Sequence, residues 1–367
     1  MCIRDRPTAA SFDFTGAGVV EWNTRFLTGG GTLTNNHVIL VSSGSNKIID
    51  GATSLLNNAE IRSNGFVRIG TNSTLNNTTQ GTINIETEAI NSSFGTVNSS
   101  PHTFINSGIL IASASSPAFK TSISAPINNF GIIEATTTEI EFSNTLINET
   151  SGLIRGSGII DLPSSGNFTN NGSFAPGNSP GSLTVFGDYV SAPTSILNFE
   201  LNGLTQETEY DLLAITGNAD FEGDIQITLG FDASIGDEFV VATTTNTINN
   251  CNLPATATSV FDGFTYDFDI TCRNNDELVL TVSGETLGVD SFDENESLIK
   301  LYPNPASDLV SFSDKTIQKI EVLDLLGKTI KTATSYFISV RELSDGMYLV
   351  KGTNQDNISI TKRLIKN

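Results

Sequence analysis

The sequence comprises 367 residues, of which 40 are acidic and 19 basic, giving a formal net charge of −21 at pH 7. So acidic a chain repels phosphate backbones and anionic lipid headgroups, which argues against a nucleic-acid-binding or membrane-surface protein. No stretch approaches the roughly 18 apolar residues of a membrane-spanning helix. Hydrophobic residues make up 38% of the chain, enough for folded cores, and the length predicts two or three domains.

The first eight residues differ in character from the chain that follows. They contain no apolar run of the kind that forms the centre of a secretory signal peptide. We therefore predict that residues 1–8 are a non-native or truncated N-terminus whose true signal peptide is missing, with an ordinary cytosolic start as the alternative. Cys2 is left out of the cysteine count for that reason.

Charge divides the sequence into three parts. Residues 1–200 carry 8 basic and 14 acidic residues, residues 201–297 carry 1 and 19, and residues 298–367 carry 10 and 7. The net charges are therefore −6, −18 and +3, which sum to −21. Shifts of this size indicate separate modules. The polar, acidic stretch 285–297 predicts a linker between the last two.

The first part repeats at intervals of about twenty residues. Asparagines that follow an apolar residue or a threonine recur at steps of 22, 19, 30, 22, 20 and 22 residues. Between them lie short runs that alternate apolar and polar residues, which is typical of β-strands with one buried face. A fixed period in this range indicates a solenoid, and the spacing of a leucine-rich repeat is missing. The recurring residues are Asn35, Asn57, Asn76, Asn106, Asn128, Asn148 and Asn170.

These patterns predict an all-β fold that begins with a right-handed parallel β-helix over residues 9–185. Asparagine suits the corners of such a coil because it tolerates the left-handed backbone conformation. Its amide is both donor and acceptor, so equivalent asparagines of successive coils are expected to stack into a ladder at about 4.8 Å per coil.

Two segments around the end of this part resemble known bacterial proteins. Residues 171–185 read N-G-S-F-A-P-G-N-S-P-G-S-L-T-V, and residues 210–219 read Y-D-L-L-A-I-T-G-N-A. Both are similar to segments of autotransporter-like and adhesin-like β-helix proteins, with Ala214 and Ile215 as departures from the pattern. The resemblance implies an adhesin-like passenger. A Pro/Gly-rich turn before a new strand explains the first segment as well.

The acidic part alternates apolar and polar residues, as in residues 197–201, 225–229 and 264–272. Antiparallel sheets that are wet on one side have this pattern, so we predict an antiparallel β cap or sandwich over residues 186–284. In an exported protein the lone pair Cys251 and Cys272 is most simply a disulfide, with two unpaired buried thiols as the alternative.

Metal and cofactor chemistry finds little support in the sequence, which contains two histidines and three cysteines. Six acidic residues of the middle part suggest calcium as an alternative. Because they lack the spacing of an EF-hand or nonapeptide calcium loop, a solvated acidic face is favoured, and no metal or other cofactor is predicted. They are Asp220, Glu222, Asp224, Asp232, Asp237 and Glu238.

Residues 298–367 contain about seven short β-like runs separated by turn residues, which predicts a small immunoglobulin-like β-sandwich. Four segments occur in order: L-Y-P-N-P-A at 301–306, V-L-D-L-L-G-K at 322–328, L-S-D-G-M-Y-L-V-K at 343–351 and T-K-R-L-I-K at 361–366. This part closely resembles the C-terminal sorting domain (type A) of cargo of the Bacteroidetes type IX secretion system. The match is carried by Tyr302, Pro303, Asn304, Pro305, Gly346, Met347, Tyr348, Lys362 and Arg363.

The resemblance implies that this domain directs passage across the outer membrane. In the family it is then typically removed as the cargo is released or attached to surface lipopolysaccharide. The expected partner is the type IX secretion machinery, and the expected location is extracellular, either secreted or held at the outer-membrane surface.

We interpret the chain as a secreted or cell-surface protein that is adhesive, structural or glycan-binding. β-Helix rods also include polysaccharide lyases and glycosidases, which need carboxylates gathered on one face. The first part offers same-face pairs such as Glu139 and Glu141, but charged outward positions explain these, and no catalytic motif is present. An enzyme is therefore the alternative, and a passive spacer within a longer multidomain protein is a third hypothesis.

Overall fold

A computed structural model describes residues 12–13, 18–42, 44, 46–87, 92–97, 102–116, 118–164, 166–177, 180–287, 299–355 and 359–367. These residues form 41 β-strands, numbered here in chain order, and no α-helix, so none of them lies in a helix that could cross a membrane. The chain divides into two compact units, one ending at Leu287 and the other beginning at Gly288. The N-terminal segment 1–8 and residues 288–297 of the predicted linker lie outside the described residues.

Three long sheets make up most of the first unit. Sheet A contains, in spatial order, β1 (Phe12–Asp13), β4 (Gly31–Asn35), β7 (Thr53–Asn57), β10 (Thr74–Asn77), β13 (Thr103–Asn106), β16 (Ile127–Asn129), β19 (Leu146–Asn148) and β22 (Phe168–Asn170). Sheet B contains β2 (Val19–Glu21), β5 (Val38–Val41), β8 (Glu60–Ser63), β11 (Thr82–Thr87), β14 (Ile109–Ala114), β17 (Ile132–Ala135), β20 (Leu153–Gly156), β23 (Ser173–Pro176), β26 (Ile196–Leu201) and β29 (Asp224–Leu229).

Sheet C is the longest. It contains β3 (Phe26–Leu27), β6 (Asn46–Ile49), β9 (Phe66–Ile69), β12 (Ser92–Thr96), β15 (Lys120–Ile123), β18 (Glu139–Phe142), β21 (Ile159–Asp161), β24 (Ser182–Phe186), β27 (Leu212–Ile215), β30 (Glu238–Thr244), β34 (Glu277–Leu287), β33 (Phe264–Arg273) and β32 (Thr256–Phe261). A short sheet D contains β25 (Tyr189–Val190), β28 (Ala219–Glu222) and β31 (Ile248–Asn252).

Consecutive strands such as β16, β17 and β18 belong to sheets A, B and C, so each turn of the chain adds one strand to every sheet. Every third strand then lies beside its predecessor in parallel register, as where Ile133 pairs with Leu110 on one side and Ile154 on the other. Burial alternates along these strands, and their inward side chains join one hydrophobic cluster that reaches from Trp22 to Val282. The predicted parallel β-helix is therefore confirmed.

A column of buried asparagines ends the strands of sheet A. In each asparagine Nδ2 donates to Oδ1 of the asparagine one coil further on, at 2.7 Å throughout, and the last one donates to the Tyr189 hydroxyl at 3.1 Å. The column has seven members: Asn35, Asn57, Asn77, Asn106, Asn129, Asn148 and Asn170. The predicted ladder exists, with two corrections: Asn77 replaces Asn76, and Asn129 replaces Asn128.

Both corrections have the same cause, since each site holds two adjacent asparagines and the sequence does not say which one points inward. The predicted left-handed backbone is wrong as well. Among the described residues, the non-glycine residues with positive φ are Ala52, Asn72, Glu207, Asp262, Asn274 and Asn275, and none belongs to the ladder. The ladder asparagines lie in strands, and what favours asparagine is its amide. Nδ2 of Asn129, for example, also donates to the carbonyls of Gly131 and Leu153.

The coil extends beyond the predicted boundary at residue 185. β26 and β29 continue sheet B in parallel, and β27 and β30 continue sheet C in parallel. Antiparallel pairing begins where β30 meets β34 and continues through β33 and β32. The antiparallel prediction is therefore wrong for residues 189–252, where β25–β31 pair in parallel with one another and only β30 also has an antiparallel partner. Alternating residues could not separate the two cases, because a coil strand with a wet outer face also has a period of two.

The antiparallel strands cover the end of the coil. β32 lies against β29, where the Ser259 hydroxyl donates to the Ile227 carbonyl at 2.8 Å and accepts from the Leu229 N–H at 3.2 Å. These bonds satisfy backbone groups of β29, the last strand of sheet B, which would otherwise be an unpaired edge. The predicted disulfide between Cys251 and Cys272 joins β31 of sheet D to β33 of this cap.

The second unit consists of two antiparallel sheets. Sheet E contains β35 (Leu301–Tyr302), β36 (Leu309–Phe312) and β39 (Phe337–Ser339). Sheet F contains β38 (Thr329–Ala333), β37 (Ile317–Leu323), β40 (Gly346–Asn354) and β41 (Ser359–Lys366). Apolar residues from both sheets, including Phe312, Ile320 and Val350, form a separate core. This arrangement agrees with the predicted seven-stranded sandwich.

Candidate functional sites

Motifs far apart in the sequence of the second unit meet along β41. The register pairs Met347 with Ile365 and Leu349 with Arg363, so the G-M-Y motif lies beside this strand. β41 is an edge strand of sheet F, and Asn304 lies along its outer side. There the Asn304 amide donates to the Arg363 carbonyl at 2.6 Å, and its oxygen accepts from the Ile365 N–H at 2.9 Å.

The Asn304 side chain makes the hydrogen bonds that the backbone of a neighbouring strand would otherwise make with β41. Pro303 and Pro305, on either side of it, have no N–H to donate to a neighbouring strand. Backbone pairing resumes at Ala306, whose N–H donates to the Ile365 carbonyl at 2.9 Å. An unpaired edge is a template for association with other chains, and the Tyr302–Ala306 segment covers part of it.

The motif residues divide into those that hold the domain together and those that face outward. The Tyr348 hydroxyl donates to the Ser344 carbonyl at 2.9 Å, which closes the turn before β40. Tyr302 and Met347, by contrast, are 51% and 44% exposed. Arg363 is also exposed, while Lys362 is half-buried beside it. Gly346 opens β40 opposite Lys366.

Sequence reasoning missed Lys366, which is only 7% exposed. Its ammonium group lies 3.3 Å from Oδ1 of Asp345, in the turn that precedes β40. The signal was present, since Lys366 shares the inward phase of Ile360 and Leu364 along β41. Its aliphatic stem can lie under the sheet while the ammonium group reaches an exposed carboxylate.

The six acidic residues considered for calcium do not gather into one group. Asp220 accepts from Nδ2 of Asn250 at 2.8 Å, and Glu238 is paired with Arg273 at 2.8 Å. Within the described ranges, no three His, Cys, Asp or Glu residues are arranged to hold a metal ion. Asp220 and Glu238 therefore form separate contacts, one with an amide and one with a guanidinium group.

The carboxylates considered for catalysis form a row on sheet C. Lys120 Nζ lies 3.4 Å from Glu139 and 3.1 Å from Glu141, and Asp161 follows Glu141 in register on the next coil. Burial, together with the charges of Glu139 and Glu141, raises the pKa of Asp161. The row is a charge ladder in which one lysine offsets stacked carboxylates.

A groove of about 200 Å³ lies on sheet B, across β20, β23, β26 and β29. The groove exists because the backbone pairing between β23 and β26 stops early. Its last pair is Phe174 with Leu197. Pro176 has no N–H for the next bond, and Gly177 instead donates to the Gly156 carbonyl at 2.8 Å. Residues lining the groove include Leu153, Arg155, Ala175, Asn198, Glu200 and Thr228.

Asp211 closes one side of the groove and joins the two adhesin-like segments. Its Oδ2 accepts from the Glu200 N–H and its Oδ1 from the Gly181 N–H, both at 2.8 Å. Burial is the main reason that the pKa of Asp211 is raised to about 6. A Cβ at Gly177 would lie 2.4 Å from Oδ1, so this position requires glycine. The two segments, which are separate in the sequence, are therefore in direct contact, because Asp211 of the second bonds Gly181 of the first.

Comparison with known families identifies the second unit. Residues 300–367 match the family model described as the secretion system C-terminal sorting domain. No curated protein matches the chain. The chain therefore carries a type IX secretion sorting domain and is a secreted, cell-surface cargo of that system.

Proposed function

We propose that the β-helix unit is a passenger that acts at the cell surface, as an adhesive, structural or glycan-binding protein. The observation that carries the proposal is that one chain combines a sorting domain with a coil that repeats outward-facing polar groups. Nδ2 of Asn58 donates to Oδ1 of Asn36 at 3.0 Å, and the Thr78 hydroxyl donates to Oδ1 of Asn58 at 2.9 Å, on three successive coils.

Such repetition suits a surface that binds through many weak contacts. Equivalent groups recur at about 4.8 Å from coil to coil, so a long ligand can engage several of them at once. We infer that the sorting domain is recognised through the exposed side chains of its motifs, including Tyr302, Met347 and Arg363. Asn304 and Tyr348 then act by holding the strands that present them.

Delivery is tested by expressing the chain behind a secretory signal peptide in a host with a functional type IX system. The full chain is expected at the cell surface or in the medium, and the variant lacking residues 298–367 is expected to remain in the periplasm. A host without the type IX translocon is the matched control. Normal surface delivery of the truncated variant would refute the assignment of the tail as the export signal.

A further inference from the structure

We propose that the groove on sheet B binds one uncharged hexose ring of a polysaccharide, an inference that rests on the proposed surface function and gives it a site. The volume of about 200 Å³ is below the roughly 300–1,000 Å³ of sites for drug-sized ligands. The groove therefore suits a single ring of a longer chain.

The groove offers the two kinds of contact that a sugar ring needs. Leu153 and Ala175 are outward-facing apolar residues of β20 and β23, against which the C–H face of a ring can pack. Asn198 and Thr228 add an amide and a hydroxyl that form no side-chain hydrogen bond with another described residue. Both are therefore available to the hydroxyl groups of a ligand.

Arg155 is a fixed donor at the same groove. Its Nε and Nη2 lie 2.8 and 2.7 Å from Oε2 of Glu134, the neighbour in register on the previous coil. This pair orients the guanidinium group and occupies two of its five N–H donors. The others can reach ligand oxygens without a change of rotamer, which keeps the entropic cost of binding low.

Charge selects against acidic polysaccharides. Glu134 is paired with Arg155, and Glu200 and Asp211 line the same groove, so three carboxylates accompany one guanidinium group. Arg155 is the one basic residue among those that line the groove, whereas Glu200 and Asp211 are acidic. A polyanion would be repelled by this field, whereas an uncharged ring is not.

The contacts of Asp211 favour a structural role for this carboxylate over acid catalysis. A general acid needs a carboxyl group that is free to give its proton to the leaving oxygen. Both oxygens of Asp211 already accept backbone N–H groups, so Asp211 is a positioning residue for the groove wall.

The test titrates the full chain with laminarihexaose, cellohexaose and mannohexaose by calorimetry, with polygalacturonate as the acidic probe. Ala175→Trp fills the groove floor, and Asn198→Ala/Thr228→Ala removes two unengaged polar groups. Asn128→Ala, an outward amide on sheet A, is the matched control. At least one uncharged hexaose is expected to bind, and both groove variants are expected to weaken it at least tenfold while the control does not.

The outcomes separate this inference from the proposed function. Binding that survives both groove variants overturns the groove and leaves surface glycan binding intact. No binding of any probe overturns the groove and the glycan-binding proposal together. A preference for polygalacturonate contradicts the charge argument. The double alanine variant keeps the test valid if Ala175→Trp fails to fold.

Discussion

The coil and the sorting domain cover their strand edges in different ways. In the coil, the partner of a strand comes from about one repeat away, as where Ile133 pairs with Ile154. In the sorting domain, the edge of β41 is covered by the side chain of Asn304. It bonds Arg363 and Ile365, which lie 59 and 61 residues further along the chain. The free energy of unfolding of a solenoid is a sum of contributions from its repeats and the interfaces between neighbouring repeats, whereas a small sandwich unfolds cooperatively in one step.

The interiors differ as well. The coil carries a buried column of amides beside its hydrophobic core, while the hydrophobic core of the sorting domain has no such column. A satisfied polar column fixes which residue stacks on which, because a slip would leave amides unpaired. A defect in the column is therefore expected to disturb adjacent coils and to leave the sorting domain unchanged.

Breaking the column gives the largest expected effect. Asn129→Ala removes the acceptor of Asn106 Nδ2 and the donor to Asn148 Oδ1, so buried polar groups are left without partners. We expect the free energy of unfolding of the first unit to fall by about 4 kcal/mol, from unpaired buried groups and lost packing. Trp22, the single tryptophan of the chain and a buried residue of this unit, reports its unfolding by fluorescence.

Asn128→Ala is the matched control, because Asn128 precedes Asn129 but points outward. It is expected to change the stability by less than about 0.5 kcal/mol. Hydrogen exchange of both variants shows where the effect lies. If Asn129→Ala and Asn128→Ala are equally stable, the column does not stabilise the coil.

The disulfide gives the next largest effect. A 21-residue separation between Cys251 and Cys272 predicts about 3 kcal/mol of stabilisation in the chain-entropy account. Cys251→Ser/Cys272→Ser is expected to lower the stability of the cap by that amount, measured as faster hydrogen exchange in β31–β34. Thiol titration of the unfolded 367-residue chain should find one thiol before reduction, that of Cys2, and three afterwards. Three thiols before reduction would contradict the bond.

Asp211 predicts a pH dependence within the coil. Its pKa is raised from 3.8 to about 6 in the folded chain, so between these values the folded state binds more protons than the unfolded state. Stability therefore falls as the pH rises from about 4 to about 6, and Asp211 contributes no further change above that window. Other carboxylates titrate there too, so the measured quantity is the difference between the wild type and Asp211→Asn.

Asp211→Asn also costs a hydrogen bond, because an amide nitrogen cannot accept from the Glu200 or Gly181 N–H. We expect a loss of about 2 kcal/mol near neutral pH. The loss should grow as the pH falls towards 4, because the wild type gains there and the variant does not. A difference that stays constant from pH 4 to pH 7 would contradict the raised pKa.

The coil, the sandwich and the disulfide could be predicted because each has a signal in the local sequence. The signals are the repeat of about twenty residues, the short β-like runs separated by turn residues, and the lone pair of cysteines. The direction of strand pairing after residue 185 could not be predicted, since Ile225 and Ile227 alternate with polar residues in either arrangement. The groove was missed for another reason. Arg155, Asn198 and Asp211 are neighbours only because coils stack, and no local pattern links them.

The smallest expected effect concerns the edge of the sorting domain. Asn304→Ala removes the bonds to the Arg363 carbonyl and the Ile365 N–H, which then face water because Asn304 is exposed. The loss is expected to be about 1 kcal/mol and confined to the second unit. Hydrogen exchange should quicken at Ile365 while β16–β20 stay unchanged. Gln318→Ala, an exposed residue of β37, is the control, and an equal effect in both variants would show that Asn304 does not seal the edge.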